Sequence, residues 1–224
     1  MIRTFLLAAT VVTTSPSTAK AGDFIVQGNR VSFIGPVESG DTNNLLDILD
    51  GMAGRGFTLE IETPGGLAVE GIMMLDALVA YPGLVTTKAV RSGAWSAGGM
   101  MWLGGDITVI PKDSVVGFHL AYVPGCNTCD TGPINAIIGG VMANAAVARG
   151  PERWYGMRNL LLDMAYARDQ HGPQGFVMFG GNGVKDIGNW WDFYPEAAEL
   201  LEEGNDHVGR TNTRPEVPAG PAAD

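Results

Sequence analysis

From residue 29 to residue 119 the chain switches repeatedly between an alternate-residue and a helical hydrophobic period, with glycine or proline at most of the switches. "NRVSFIGPV" (29–37) reads as a strand, and "DTNNLLDILDGMAGRG" (41–56) as a helix with Asp41 or Thr42 as N-cap and glycines at its end. "FTLEIET" (57–63) alternates as a strand does, "PGG" breaks it, and "LAVEGIMMLDALVAY" (67–81) recurs at helical spacing through Ala68, Ile72, Leu75 and Val79. "LVTTKAV" (84–90) is β-branched and strand-like; a glycine turn leads into a short helix (96–103), then strands at 107–111 and 115–119. This order predicts an α/β fold with parallel strands joined by right-handed crossovers. Two helices (134–148 and 152–169) make the C-terminal part helical, and "GFVMFGGNGVKDIGNW" reads as an added strand pair.

A chain of 224 residues, 46 % of them apolar and 17 % charged, is long enough for one domain with a sizeable core. Its formal charge of −10 argues against nucleic acid as a partner, because binders of the phosphate backbone gather basic residues. The first 21 residues have the build of a secretory signal: Arg3, an apolar run from Phe5 to Val12, and a small-x-small site at Ala19-Lys20-Ala21. The run is too short to span a bilayer permanently, so the expectation is an exported protein, periplasmic or secreted, with no membrane span after cleavage. The expected domain covers 22–203, and the Pro-bearing stretch 204–224 has too little to bury and is expected to be disordered.

Cys126 and Cys129 cannot complete a four-ligand zinc site by themselves, and no histidine follows them closely. In an oxidising compartment they are expected to close a small disulfide, worth about 2 kcal/mol on chain-entropy grounds. The redox-active alternative lacks the helix that ordinarily starts at the first cysteine of such a pair.

Three features bear on chemistry. Pro64-Gly65-Gly66 ends a strand before a helix, where backbone N–H groups can approach a ligand and form an oxyanion hole. Ser96 sits at a strand-to-helix switch in "RSGAWSAGGMMWLGGD" (91–106), either as an ordinary helix N-cap or as a nucleophile held above the strand ends. His119 closes the apolar strand "SVVGFH" at the carboxyl end of a parallel sheet, the edge where ligands bind in such folds. The other histidines are His171, behind a helix, and His207 in the tail.

"IETPGGLAVEGIMMLDAL", "SGAWSAGGMMWLGG" and "VIPKDSVVGFH" resemble, in order and spacing, three motifs of the Clp protease proteolytic subunit: its diglycine turn, its serine turn and its histidine strand. Thr63 stands where the first motif has serine, and the resemblance covers about residues 30–122. It implies a ClpP/crotonase-like fold of stacked βαβ units and an exported serine endopeptidase, with Ser96 as nucleophile and His119 as general base. Gly66 and Ala97 would supply the oxyanion-hole N–H groups. It also implies peptide or unfolded-protein substrates, a homo-oligomer assembled through the helical region carrying Trp154 and Tyr155, and neither cofactor nor metal. The family's third residue is an aspartate well beyond the histidine. Asp169 has about the right separation and Asp163 is the other candidate; six residues apart, they point to different sides of a helix. A Ser–His dyad without an acid is the remaining form.

Other classes stay in view. A non-catalytic binding or assembly module would keep the fold and lose the acid. A crotonase-type acyl-CoA enzyme shares a backbone oxyanion hole, but exported chains meet little CoA. A Ser–Lys dyad would need Lys88, Lys112 or Lys185 at the site, and their positions speak rather for surface charges.

Overall fold

A computed structural model describes residues 22–122, 130–183 and 185–189. The expected leader (1–21), both cysteines and the tail from 204 lie outside the described residues.

The chain opens on a hairpin, β1 (Asp23–Gln27) and β2 (Arg30–Ile34), succeeded by α1 (Asp41–Met52), β3 (Phe57–Thr63) and α2 (Ala68–Ala80). Next come β4 (Val85–Trp95), α3 (Ala97–Leu103), β5 (Ile107–Val109) and β6 (Val115–His119). The helices α4 (Gly132–Ala148) and α5 (Pro151–His171) precede a closing pair, β7 (Gly175–Gly180) and β8 (Lys185–Asn189). The described strands form one sheet in the order β1-β2-β3-β4-β6-β7-β8, with β5 also paired to β4.

The sheet is parallel at its centre, as the βαβ order implies, and antiparallel at both ends. The pairings β2–β3, β3–β4, β4–β5 and β4–β6 are parallel, whereas β1 runs against β2, and β7 against both β6 and β8. For β1 and β2 the physical reason is connection length. Gly28-Asn29 joins β1 to β2, and a link that short closes only an antiparallel hairpin. The strand expected over 29–37 is accordingly shorter and has a partner ahead of it.

β3 shows how the sheet is layered. Phe57, Leu59, Ile61 and Thr63 are buried while Thr58, Glu60 and Glu62 stay half-exposed. Strict alternation of this kind belongs to a sheet covered on one face. The buried face joins Val31, Phe33, Val85 and Ala89 to Leu45 and Leu49 of α1, to Met74, Leu75 and Leu78 of α2 and to Met101 of α3. On the wet face Glu60 pairs with Lys88 at 3.1 Å and Glu62 with Arg91 at 2.8 Å, exposed pairs that add little each.

α1 does not cap itself with Asp41 or Thr42. Gly40 occupies the N-cap in a left-handed conformation with φ 98°, and no side chain at that position caps the helix. The Glu70 carboxylate of α2 accepts the Gly40 N–H at 3.0 Å, the Thr42 N–H at 2.9 Å and the Thr42 hydroxyl at 2.5 Å. Those bonds hold Glu70 below its usual carboxyl pKa, although its own burial pushes the other way. At the far end of the domain Arg149 ties α4 to its neighbours. Its guanidinium pairs with Asp106 and donates to the carbonyls of Gly104 at 2.7 Å and Leu78 at 3.3 Å.

β4 continues through 91–95, where the sequence pointed to a turn. Ile61 pairs with Ala89 and Thr63 with Ala94, so Glu62 alone lies opposite Val90 to Gly93. Such a bulge bends its strand and re-aims the side chains beyond it. Glu62 fastens it by accepting from Arg91 and, at 3.2 Å, from the Ser92 hydroxyl. The strand so redirected ends at Trp95 and delivers Ser96.

Candidate active site

Ser96 joins β4 to α3 with φ 54° and ψ −114°, a backbone conformation a residue with a Cβ rarely adopts. Strain of this kind persists only where its surroundings over-determine it. Here the Ser96 N–H donates to Gly117 O on β6 at 2.8 Å, and the Ser96 carbonyl accepts the Met100 N–H of α3 at 3.3 Å. Just before it, the Trp95 indole N–H donates to Ser92 O at 2.7 Å and its ring stacks on Phe176 at 4.9 Å. The side chain does not cap the helix, and among the described residues Oγ makes no hydrogen bond. An N-cap serine exists to make that bond. This one stands partly exposed without it.

The diglycine turn reaches the same place from β3. Thr63 Oγ1 accepts the Gly65 N–H at 3.1 Å, and Val37 brackets the turn, donating its N–H to Gly65 O at 2.7 Å and accepting the Leu67 N–H at 2.9 Å. Val37 therefore takes up the groups either side of Gly66, and the N–H of Gly66 itself makes no hydrogen bond among the described residues. Both glycines are required. Gly65 has φ 100°, and a Cβ there would sit 2.5 Å from Ser96 Cβ; Gly66 has φ 142°, and a Cβ there would sit 2.1 Å from Val37 O. The Gly65 backbone thus lies directly against the serine side chain. Ala97 begins α3, so its N–H has no intrahelical partner, and it donates to no other described group.

His119 ends β6. Trp95 pairs with Gly117 across β4–β6, so the histidine lies two residues beyond the rung that fastens the serine turn, at the same end of the sheet. The imidazole Nδ1 is 2.8 Å from Leu120 O. A carbonyl oxygen only accepts, so Nδ1 carries the proton in this bond and Nε2 is the basic nitrogen. Burial holds the imidazole below its ordinary pKa, and the bond to Leu120 pulls the other way. The Tyr122 ring lies 5.5 Å away, tilted by 52°.

The remaining candidates lie elsewhere. Asp169 is exposed on α5 and accepts from the Gln170 amide at 2.9 Å, while Asp163 pairs with Lys185. Lys88 is held by Glu60 on the wet face, Lys112 sits in an exposed turn, and His171 is exposed at the end of α5. No hydrogen bond joins Ser96 Oγ to the imidazole or either aspartate to Nδ1. Sequence reasoning missed the partner that Nδ1 does have, because it is a backbone carbonyl and has no residue type to betray it. It also missed Asn135 of α4, whose side chain binds both the N–H and the carbonyl of Ala121.

No family model matches this sequence, and no curated protein sequence matches it. Among solved structures, a mutant of ClpP1 from Listeria monocytogenes overlays 58 % of this chain and 77 % of its own, at 15 % identity and a TM-score of 0.45. An overlap of that size carries no argument about what this chain does.

Proposed function

We propose that this protein is a serine hydrolase of peptide bonds, working through Ser96 and His119 with the N–H groups of Gly66 and Ala97 as oxyanion donors. One observation carries the reading: Ser96 is held at φ 54°, ψ −114° between a strand and a helix, with a hydroxyl that makes no hydrogen bond among the described residues. A strained strand-to-helix turn that leaves a serine hydroxyl standing clear is the arrangement of a nucleophile elbow. The two N–H groups beside it that find no partner among the described residues support an oxyanion site, because such groups are rarely left unmet without a reason.

General requirements set the chemistry. Oγ attacks a carbonyl carbon while Nε2 of His119 takes its proton, a role open to it because Nδ1–H is engaged with Leu120 O. Negative charge gathers on the carbonyl oxygen, and each preorganised donor is worth roughly 3 kcal/mol there. The imidazolium then hands its proton to the leaving amine, and water completes the cycle in reverse order. With a neutral carbonyl behind Nδ1, the imidazolium receives less stabilisation than a carboxylate would give. Asp163 and Asp169, engaged with Lys185 and Gln170, take no part in this step.

Extended or already unfolded peptides are the substrate class that suits a site flanked by exposed Leu67 and Val69. Export by the leader, a Cys126–Cys129 disulfide and self-association are parts of the same proposal. For the last, exposed Tyr155, Leu162 and Tyr166 on α5 offer apolar surface. A second reading, a non-catalytic module that binds peptides, is favoured by the placement of Asp163 and Asp169, which are engaged with Lys185 and Gln170 and not with the imidazole. A digest of a peptide library with the wild-type chain and with Ser96→Ala separates the two. Turnover by the wild type alone supports the hydrolase, and binding without turnover by both supports the module.

A further inference from the structure

After His119 the chain leaves the sheet. The rung His119–Phe176 is the end of the β6–β7 ladder, and β4 reaches no further than Gly117 on the other side. The next peptide unit, Leu120 C=O with Ala121 N–H, nonetheless has fixed partners on both its ends. Leu120 O accepts from His119 Nδ1 at 2.8 Å, and the Ala121 N–H donates to Asn135 Oδ1 at 2.6 Å. The same Asn135 donates from Nδ2 to Ala121 O at 3.1 Å and to Thr131 Oγ1 at 3.2 Å. One amide side chain therefore grips the N–H and the carbonyl of a single residue, as the next strand of a sheet would.

We propose that Asn135 is a positioning residue for the base: it fixes the plane of the Leu120–Ala121 peptide, and that peptide fixes the tautomer and direction of the His119 ring. This rests on the reading of His119 as the base. A peptide plane free to rotate would carry Leu120 O away from Nδ1, and the ring would then exchange between its two neutral tautomers. Only one of them leaves Nε2 able to take a proton from a hydroxyl. In sites with an acid, a carboxylate performs this orienting task as well as stabilising the cation. Here a peptide carbonyl performs the orienting task. The bonds also reinforce one another, since an N–H that donates strongly makes the carbonyl of the same peptide a better acceptor. Asn135 stands in the first turn of α4, beside buried Thr131, so the imidazole is referred to a helix and not to a loop.

The test uses the full chain labelled with 15N at histidine and a fluorophosphonate as serine probe. At neutral pH the wild-type His119 spectrum is expected to show a protonated Nδ1 and a bare Nε2; a protonated Nε2 overturns the proposal with no variant needed. In Asn135→Leu the two nitrogen shifts are expected to average, and the labelling rate to fall by about 10- to 100-fold, the scale of a misplaced catalytic group. Asn135→Asp keeps the acceptor for Ala121 N–H and loses the donor, so it is expected to retain the wild-type tautomer and label at a rate between the two. A merely structural asparagine would lower the melting temperature of Asn135→Leu while leaving tautomer and labelling rate as in the wild type, and that result also overturns the proposal. If the wild type is not labelled at all, the reading of Ser96 and His119 fails, while the tautomer comparison still decides what Asn135 does.

Discussion

Replacing Ser96 by glycine and by alanine separates the two things that this residue does. Alanine keeps the Cβ, and with it the cost of φ 54°, but removes a hydroxyl that makes no hydrogen bond among the described residues. Its stability should match the wild type within about 0.5 kcal/mol, the range for changes that break no named interaction. Glycine removes the Cβ and the strain together. Backbone strain of this kind costs about 1–3 kcal/mol, and the extra entropy of an unfolded glycine takes back roughly 0.5–1 kcal/mol. Ser96→Gly should therefore be the more stable variant by about 1 kcal/mol, or some 2–4 °C in melting temperature for a chain of this size. Both variants should be equally inert towards a serine-directed phosphonate. Equilibrium unfolding in denaturant and a thermal melt of the three proteins, side by side, measure the difference. A glycine variant less stable than the alanine variant by a kcal/mol would refute the reasoning, because position 96 would then carry no strain for function to explain.

The phosphonate labelling rate should rise with pH through a midpoint below the ordinary histidine value and be flat above it, because burial of His119 disfavours its cation; a midpoint above about 6.5 contradicts this. The same shift has a stability consequence of definite sign. A histidine whose folded pKa is depressed contributes fully above its unfolded pKa, so His119→Gln should remove part of the stability lost as pH falls from about 6.5 towards the folded value. Gly98→Ala should cost roughly 1–3 kcal/mol, because its Cβ would lie 2.1 Å from the Thr63 methyl, and Thr63→Ser in the same chain should recover most of it in a double-mutant cycle. Arg149→Met should cost roughly 3 kcal/mol in chemical denaturation, since it strips Asp106 and two helix-end carbonyls of their shared donor; a loss below 1 kcal/mol would mean that the guanidinium is not what ties α4 to α2 and α3.

Where the sequence speaks through local pattern, its reading and the structure coincide. The alternation over 57–63 marks β3 because burying Phe57, Leu59, Ile61 and Thr63 leaves Thr58, Glu60 and Glu62 on the wet face. The apolar run closing on a histidine marks β6, which ends at His119. Signals carried by distant partners are silent in the sequence. The N-terminus of α1 is met by a carboxylate 28 residues away, so Asp41 and Thr42 looked like caps although neither is one. The bulge opposite Glu62 arises from pairing between two strands, and nothing in "RSGAW" alone separates it from a turn. "DFIVQGNRVSFI" carries a hairpin signal in its Gly28-Asn29 pair, which lies ahead of the βαβ alternation.

The site divides along the same line. Ser96, His119 and the diglycine turn stand out by their order and by their places at strand ends, and the fold brings their backbones to one end of the sheet. Asp169 and Asp163 were chosen by separation along the chain. Separation along a helix does not say which way a carboxylate faces, and these two face Gln170 and Lys185.

The central claim is that the Ser96 hydroxyl is a nucleophile, and covalent capture tests it most directly. The full chain is treated with a peptidyl fluorophosphonate, digested and mapped by mass spectrometry. The account predicts a single adduct on the Oγ of Ser96, lost in His119→Ala. A folded wild-type chain that stays unlabelled, or that takes the phosphonate on another hydroxyl, would contradict it.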